Sequence, residues 1–362
     1  MPFSNDNQAD ALVQIGRVGT LGRIHLNRPR ALNSLTLEMV RIIVGALDAF
    51  EIDDSIAAVL ITGEGDRAFC AGGDIRALHD EGRQNPAEAR TFLREEYRLN
   101  ARIKRFPKPY IAFMDLITMG GGVGLSAHGS HRIVTERTRL AMPETGIGFF
   151  PDIGATWLLS RGRAGRGKVE TGTFLALSGE QIGGADAIHA GLADALVPSS
   201  ALSDLADNLS QLPATADGAD VSAIIGAYVS TVEPGPVEQN AAEIDEAFAF
   251  DTVEEIFAAL GASETAFAGK TLATLRTRSP TSLKLALRLV RLARDDARLE
   301  DALEREYAAA AGILAGHDFY EGVRTAIIDK GQKPQWQPST LAEVTEESLA
   351  RYFEPAPERL FS

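Results

Sequence analysis

PYIAFMDLITMGGGVGLSAHGSHRIVTERTRLAMPETGIGFFPDIGAT, residues 109–156, is the stretch on which the reading of this chain turns. Pro109 to Asp115 reads as a short buried strand. Gly120, Gly121 and Gly122 follow as a backbone turn, and the small apolar run Val123–Ala127 as the start of a helix. Glycine accepts positive φ and has no side chain to hold a ligand off, so this order presents bare peptide N–H groups at the positive end of a helix. A negatively charged oxygen would be stabilised there. About twenty residues on, Glu144 and Asp152 lie in a loop rich in Gly, Pro and Phe rather than on a charged helix face. Carboxylates beside phenylalanine are candidates for shifted acidity.

Working outward, Ala11–Val18 and Leu21–Leu26 read as two strands joined near Gly19. Val40, Ile43, Val44, Leu47 and Phe50 keep helical spacing, with Thr36 and Glu38 suited to the helix start. Ala57–Thr62 is a buried strand ending in the glycine-rich loop GEGDRAFCAGGD, the position at which open α/β sheets bind ligands. A helix is predicted over 86–105, and short strands in RIVTE and RLA between 132 and 141. Strand–helix alternation to about residue 200 predicts an α/β domain. Beyond 201 the pattern is helical, with runs at 253–260, 264–275, 281–294 and 298–314. LPATADGADV at 212–221 has linker composition. The expected organisation is a catalytic domain over 1–200, a helical region over 201–330 and a tail over 331–362 that carries prolines at 334, 338, 355 and 357.

The chain has 362 residues, 45% of them hydrophobic, enough for a sizeable core. A formal charge of −14 argues against non-specific nucleic-acid binding and against docking on anionic lipid. No run approaches the roughly 20 apolar residues of a membrane-spanning helix. The polar, acidic N-terminal segment and the single cysteine, Cys70, together predict a cytoplasmic location.

Five segments, NRPRALNSL at 27–35, AFCAGGDI at 68–75, FLREEYRLN at 92–100, ITMGGGVGLS at 117–126 and MPETGIGFFPD at 142–152, resemble the crotonase (enoyl-CoA hydratase/isomerase) superfamily in order and spacing. SPTSLKLALRLVR at 279–291 and DFYEGVRTAIIDK at 318–330 extend the likeness over most of the chain. The resemblance implies a crotonase-like fold of repeated ββα units with a helical C-terminal region, and an acyl-CoA as ligand. A homo-oligomer is compatible with it. It further implies that one backbone N–H from each glycine loop, at Gly73 and Gly121, holds a thioester oxygen. Removing one such donor costs about 3–4 kcal/mol in a well-studied protease.

Within the family, hydratases carry a catalytic glutamate where this chain has Gly124, and a second at Glu144. Where they have a glycine, this chain has Asp152. That exchange is the pattern of the family's CoA-thioester hydrolases, acting on 3-hydroxyacyl-CoA, with 3-hydroxyisobutyryl-CoA of valine breakdown as the implied substrate. Glu144 would attack the thioester carbonyl or activate a water to do so. Asp152 would accept a hydrogen bond from the substrate's 3-hydroxyl or orient the water. Phe149, Phe150 and Trp157 would keep the pair dry, and Glu96 matches a substrate-contacting position. Arg28 and Ala31 would line the pantetheine and phosphate approach, and Ala71, Asp74 and Ile75 the CoA head; Arg30, Arg67 and Arg76 are further cations near the loops. CoA being part of the substrate, neither a metal nor another cofactor is expected. The rival readings are a hydratase or isomerase working with Glu144 alone, and a non-catalytic acyl-CoA binder.

Other patterns carry less. GRAGRGK at 162–168 has P-loop spacing, but Val169 stands where Ser or Thr must meet magnesium and no strand precedes it. His128 and His131 lack a third ligand, Cys70 lacks a base, and no GxSxG elbow exists.

Overall fold

In a computed structural model, residues 10–162 and 170–361 are described; apart from Gly162, the GRAGRGK segment lies outside them. A six-stranded sheet has the order β1(Val13–Val18), β2(Leu21–Leu26), β3(Ala58–Gly63), β5(Tyr110–Met114), β7(His131–Val134), β9(Ala195–Leu196). The β1–β2 pair is antiparallel and the others are parallel. A smaller parallel sheet joins β4(Ala68–Cys70), β6(Ile117–Met119) and β8(Arg139–Ala141).

The expected ββα repeat is therefore present in a specific form. Odd and even strands of each pair, β3/β4, β5/β6 and β7/β8, go to different sheets before the chain turns helical. β4 and β6 are neighbours and run parallel, so the glycine loops at their C-terminal ends emerge side by side. Buried on both faces, β5 reads as the continuous apolar run YIAFM rather than as an alternating strand.

The helices follow their apolar spacing. In α1(Leu37–Ile52) Val40, Ile43, Leu47 and Phe50 are buried and Thr36 caps the start by accepting from Met39 N. α2(Ile75–Gln84) follows the first glycine loop, and α3(Pro86–Lys104) begins with proline at its first position. α4(Gly121–Ser126) is the short helix after the second loop, with Gly121 and Gly122 already inside its first turn.

The segment 212–221 is not a bare linker. Leu212 and Val221 are buried against Leu21, Leu60, Ile111 and Phe113, and Asp217 caps the helix Gly218–Gly226 with a capping box. Its turn-rich composition serves a cap. Further on, helices Pro280–Ala293, Leu299–Leu314 and Asp318–Val323 share one buried cluster with Leu47, Leu125 and Phe150. This shared core brings the last third of the chain against the loop that carries Glu144 and Asp152.

Candidate active site

The two glycine loops meet at peptide distance. A Cβ built on Gly121 would stand 3.3 Å from Gly73 N, and one on Gly72 would stand 3.5 Å from Gly121 N. Leu35 fixes the first loop by bridging to it, donating to Gly72 O at 2.8 Å and accepting from Asp74 N at 2.9 Å. Gly120 turns the second loop with φ +47°. Neither Gly73 N nor Gly121 N donates to another group among the described residues. Two adjacent amide donors without an internal acceptor can hold one oxygen between them.

Carboxylates stand over the same loops. Glu96 Oε1 is 2.4 Å from the Cβ position of Gly121, and Glu144 Oε1 is 2.9 Å from that of Gly120, so a side chain at Gly121 would strike a carboxylate. Glu96, on a helix whose other acids are less buried, is 3% exposed; Glu144 and Asp152 are 7% exposed. Glu96 Oε1 and Glu144 Oε2 have no hydrogen-bond partner among the described residues. Tyr97 donates to Asp152 Oδ2 at 2.6 Å.

Burial moves all three acids in one direction, and for Glu96 and Glu144 the charge of Asp152 adds to it. Burial, then the charge of Asp152, holds Glu96 and Glu144 well above the usual carboxylate range. Burial pushes Asp152 up to about 7, against the opposing effect of the Tyr97 hydrogen bond. Acids of this kind, close enough to repel, share fewer protons than sites near neutrality and can give or take one there.

Packing keeps the loop apolar. Phe149 stacks on Phe150 at 4.8 Å between centroids and leans on Phe319 at 5.6 Å. Trp157 is half-buried and faces Arg161, whose guanidinium lies 3.2 Å from its ring centroid. From the C-terminal helices, the Asp318 carbonyl closes on Gly148, Ile147 closes on Gly322, and Ser279 N donates to Thr145 O at 3.2 Å.

The residues implied for the CoA approach are placed as follows. Arg28 pairs with Asp74 at 2.8 Å and donates to Ser34 O at 3.1 Å, so a phosphate would have to compete with that pair. The Ala31 and Ala71 amides are used internally, by Arg28 O and Leu32 O. Ile75 starts α2 beside them, half-buried. Arg30 and Arg67 are exposed, and Arg76 donates to Ile327 O at 3.4 Å. A cavity of about 660 Å³ lies here, lined by Arg28, Leu35, Asp74, Leu78 and Phe92, whose ring lies 3.2 Å from the Cβ position of Gly73. A larger one of about 1130 Å³, between α3 and the C-terminal tail, is lined by arginines and carboxylates and by none of Glu96, Glu144 or Asp152.

Three residues at the site had no role in the sequence reading. Tyr97 lies on the helix expected over 86–105, where the sequence gives no sign of a contact with the site. Asn100 is fully buried with both amide atoms unpaired among the described residues, its Nδ2 2.7 Å from the Cβ position of Gly124. Glu306 accepts from Gly154 N at 2.6 Å and Thr156 N at 3.1 Å. Spacing on α3, where 96, 97 and 100 share a face, could have grouped the first two with Glu96; nothing local marks Glu306. His128 donates to Ile153 O at 2.7 Å and His131 bonds Gly218 O, and no cluster of metal-ligating type occurs among the described residues. Cys70 is buried, its thiol pushed up to about 12 by that burial.

The enoyl-CoA hydratase/isomerase family description matches residues 21–353. The mitochondrial 3-hydroxyisobutyryl-CoA hydrolase of Danio rerio is 42% identical over 98% of this chain and 92% of its own length. That of Xenopus laevis is 43% identical over 97% and 91%. A crystal structure titled carnitinyl-CoA dehydratase, from Mycobacterium thermoresistibile, superposes with a TM-score of 0.90 at 43% identity, covering 97% of this chain and 98% of that one. The cytoplasmic location expected from the sequence is corrected by these relatives, which are named mitochondrial. The expectation rested on one cysteine and a polar segment, and a thiol-poor composition does not tell one reducing compartment from another. A match that runs through both glycine loops, the carboxylate loop and the C-terminal helices makes this chain a member of the enoyl-CoA hydratase/isomerase family.

Proposed function

We propose that the protein hydrolyses the thioester of 3-hydroxyisobutyryl-CoA, giving 3-hydroxyisobutyrate and CoA, a step of valine breakdown. The observation that carries this reading is the pairing of buried Glu144 and Asp152 beside two converging amide donors, in a chain about 40% identical over nearly its whole length to hydrolases of that name.

The thioester oxygen sits between Gly73 N and Gly121 N, which stabilise the negative charge that develops as the carbonyl carbon becomes tetrahedral. Glu144 must be ionised to act, whether it attacks that carbon itself or takes the proton from a water that does. If Glu144 attacks, it forms the new C–O bond and the resulting mixed anhydride is then split by water, which releases the acid and restores Glu144; if water attacks, the proton taken by Glu144 passes to the leaving group. On either route the C–S bond breaks and the thiolate of CoA leaves with the electron pair and is protonated. Asp152, fixed by Tyr97, orients the substrate hydroxyl or the water. The closely packed Phe149 and Phe150 keep this exchange away from bulk solvent. The reaction requires no metal or redox group.

A hydration reading draws support from the dehydratase title of the structural neighbour. Against it stands Gly124: Asn100 Nδ2 and Ile153 Cβ lie 2.7 and 3.1 Å from where its Cβ would be, so a hydratase glutamate at that point would have to displace Asn100. Steady-state CoA release by Glu144→Gln and Asp152→Asn tests the assignment. Each is expected to lose at least about a hundredfold in kcat; unchanged turnover in both would take Glu144 and Asp152 out of the reaction and overturn the assignment.

A further inference from the structure

Asp152 is carried on a turn that its own sequence disfavours. Ile153, buried and β-branched, has φ +59°, and Gly154 after it has φ +77°. A β-branched residue in the left-handed region is an outlier that persists only where its surroundings impose it, and such residues concentrate at functional sites. Here the surroundings are two side chains from distant parts of the fold. His128, one residue past the C-cap of α4, donates from Nε2 to Ile153 O at 2.7 Å. Glu306, on helix Leu299–Leu314, accepts Gly154 N on one oxygen and both Thr156 N and Thr156 Oγ1 on the other.

A plain helix cap would be a simpler use for Glu306, since Ala155–Leu159 starts there. A neutral Ser or Asn meets that need without burying a charge. Instead the chain buries a carboxyl group that burial, and then the charge of Asp152, push up to about 8. Such a group is expensive to hold, and its hydrogen bonds go to the N–H groups of Gly154 and Thr156, just beyond Ile153. His128, with burial lowering it to about 4, is neutral at physiological pH and donates from the nitrogen facing Ile153.

We propose that Glu306 and His128 are positioning residues that hold the left-handed Ile153 turn and thereby aim the Asp152 carboxylate into the site. The C-terminal helical region is then part of the catalytic apparatus. This inference rests on the hydrolase reading, in which Asp152 acts on the substrate.

The test is kcat and KM for CoA release from 3-hydroxyisobutyryl-CoA by the full chain, its Glu306→Gln and Asp152→Asn variants, and the double variant. Glu306→Gln is expected to lower kcat about 30-fold or more with KM within about twofold, because a small misplacement of a reacting group is costly. In the Asp152→Asn background the same change should cost less than about threefold, since residues acting through one another are not additive. Equal losses in both backgrounds would reduce Glu306 to a structural role and overturn the inference. So would an active Glu306→Gln beside an impaired Asp152→Asn, which leaves the hydrolase reading standing. Full activity in Asp152→Asn would remove Asp152 from the reaction and overturn the inference, while CoA release would still show hydrolysis. Should Glu306→Gln not fold, His128 decides: His128→Leu should lose kcat while His128→Gln, which keeps a donor, retains most of it. Equal behaviour of the two overturns the proposal.

Discussion

Tyr97 holds Oδ2 of Asp152 through a hydrogen bond of 2.6 Å, tying the middle of α3 to the loop that follows Phe150. Both partners are buried, and the bond favours the ionised form of Asp152 against the burial that opposes it. The acid in which this chain departs from the hydratase pattern is thus kept usable near neutrality by a phenol.

Tyr97→Phe removes that bond and little else. Asp152 then ionises at higher pH, so the acid limb of the kcat/KM profile should move upward and activity at pH 7 should fall about tenfold. A pH–rate profile of the variant beside the parent checks this; an unmoved limb would mean that Asp152 does not control it.

Stability carries the same sign of charge burial. Asp152 titrates near 7 in the fold and near 4 when unfolded, so between those values the folded state binds more protons. Stability is therefore lost as pH rises through that window, at up to about 1.4 kcal/mol per pH unit for this group. Asp152→Asn, which has no charge to desolvate, should be more stable than the parent at pH 8 by up to a few kcal/mol and should lose that advantage at pH 4. Urea unfolding at both values measures it.

Gly121→Ala should abolish most turnover. The added carbon would strike Glu96 Oε1 and stand 3.2 Å from Leu35 Cδ1 and 3.3 Å from Gly73 N, so either the buried Glu96 or the loop with its amide donor must give way. A loss of about 100- to 1000-fold in kcat is expected, as for one missing oxyanion donor. A fall in thermal midpoint without a fall in kcat would detach Gly121 from catalysis.

Much of this was legible in the sequence, for physical reasons. Strands and helices followed from periodicity, because β5 is buried on both faces and α1 on one. Gly120 and Gly121 announced their loop because few other residues can turn there or leave a ligand room. Glu144 and Asp152 stood out as acids among aromatic residues. Tyr97 did not, since an apolar stripe on a helix looks the same whether it meets core or a carboxylate. Glu306 lies in LEDALEREY at 299–307, where acids spaced among charges read as a solvated face. Only the packing of helix Leu299–Leu314 against the Asp152 turn reveals it as buried. Asn100 needed the position of Gly124, a contact between elements that local spacing does not encode.

The measurement that bears most directly on the account is free-thiol release from 3-hydroxyisobutyryl-CoA by the purified protein, with hydration of crotonyl-CoA followed in parallel. Rapid release of CoA with negligible hydration is the predicted result. Hydration without thiol release would contradict it, and would mean that Gly124 and Asp152 do not set the reaction.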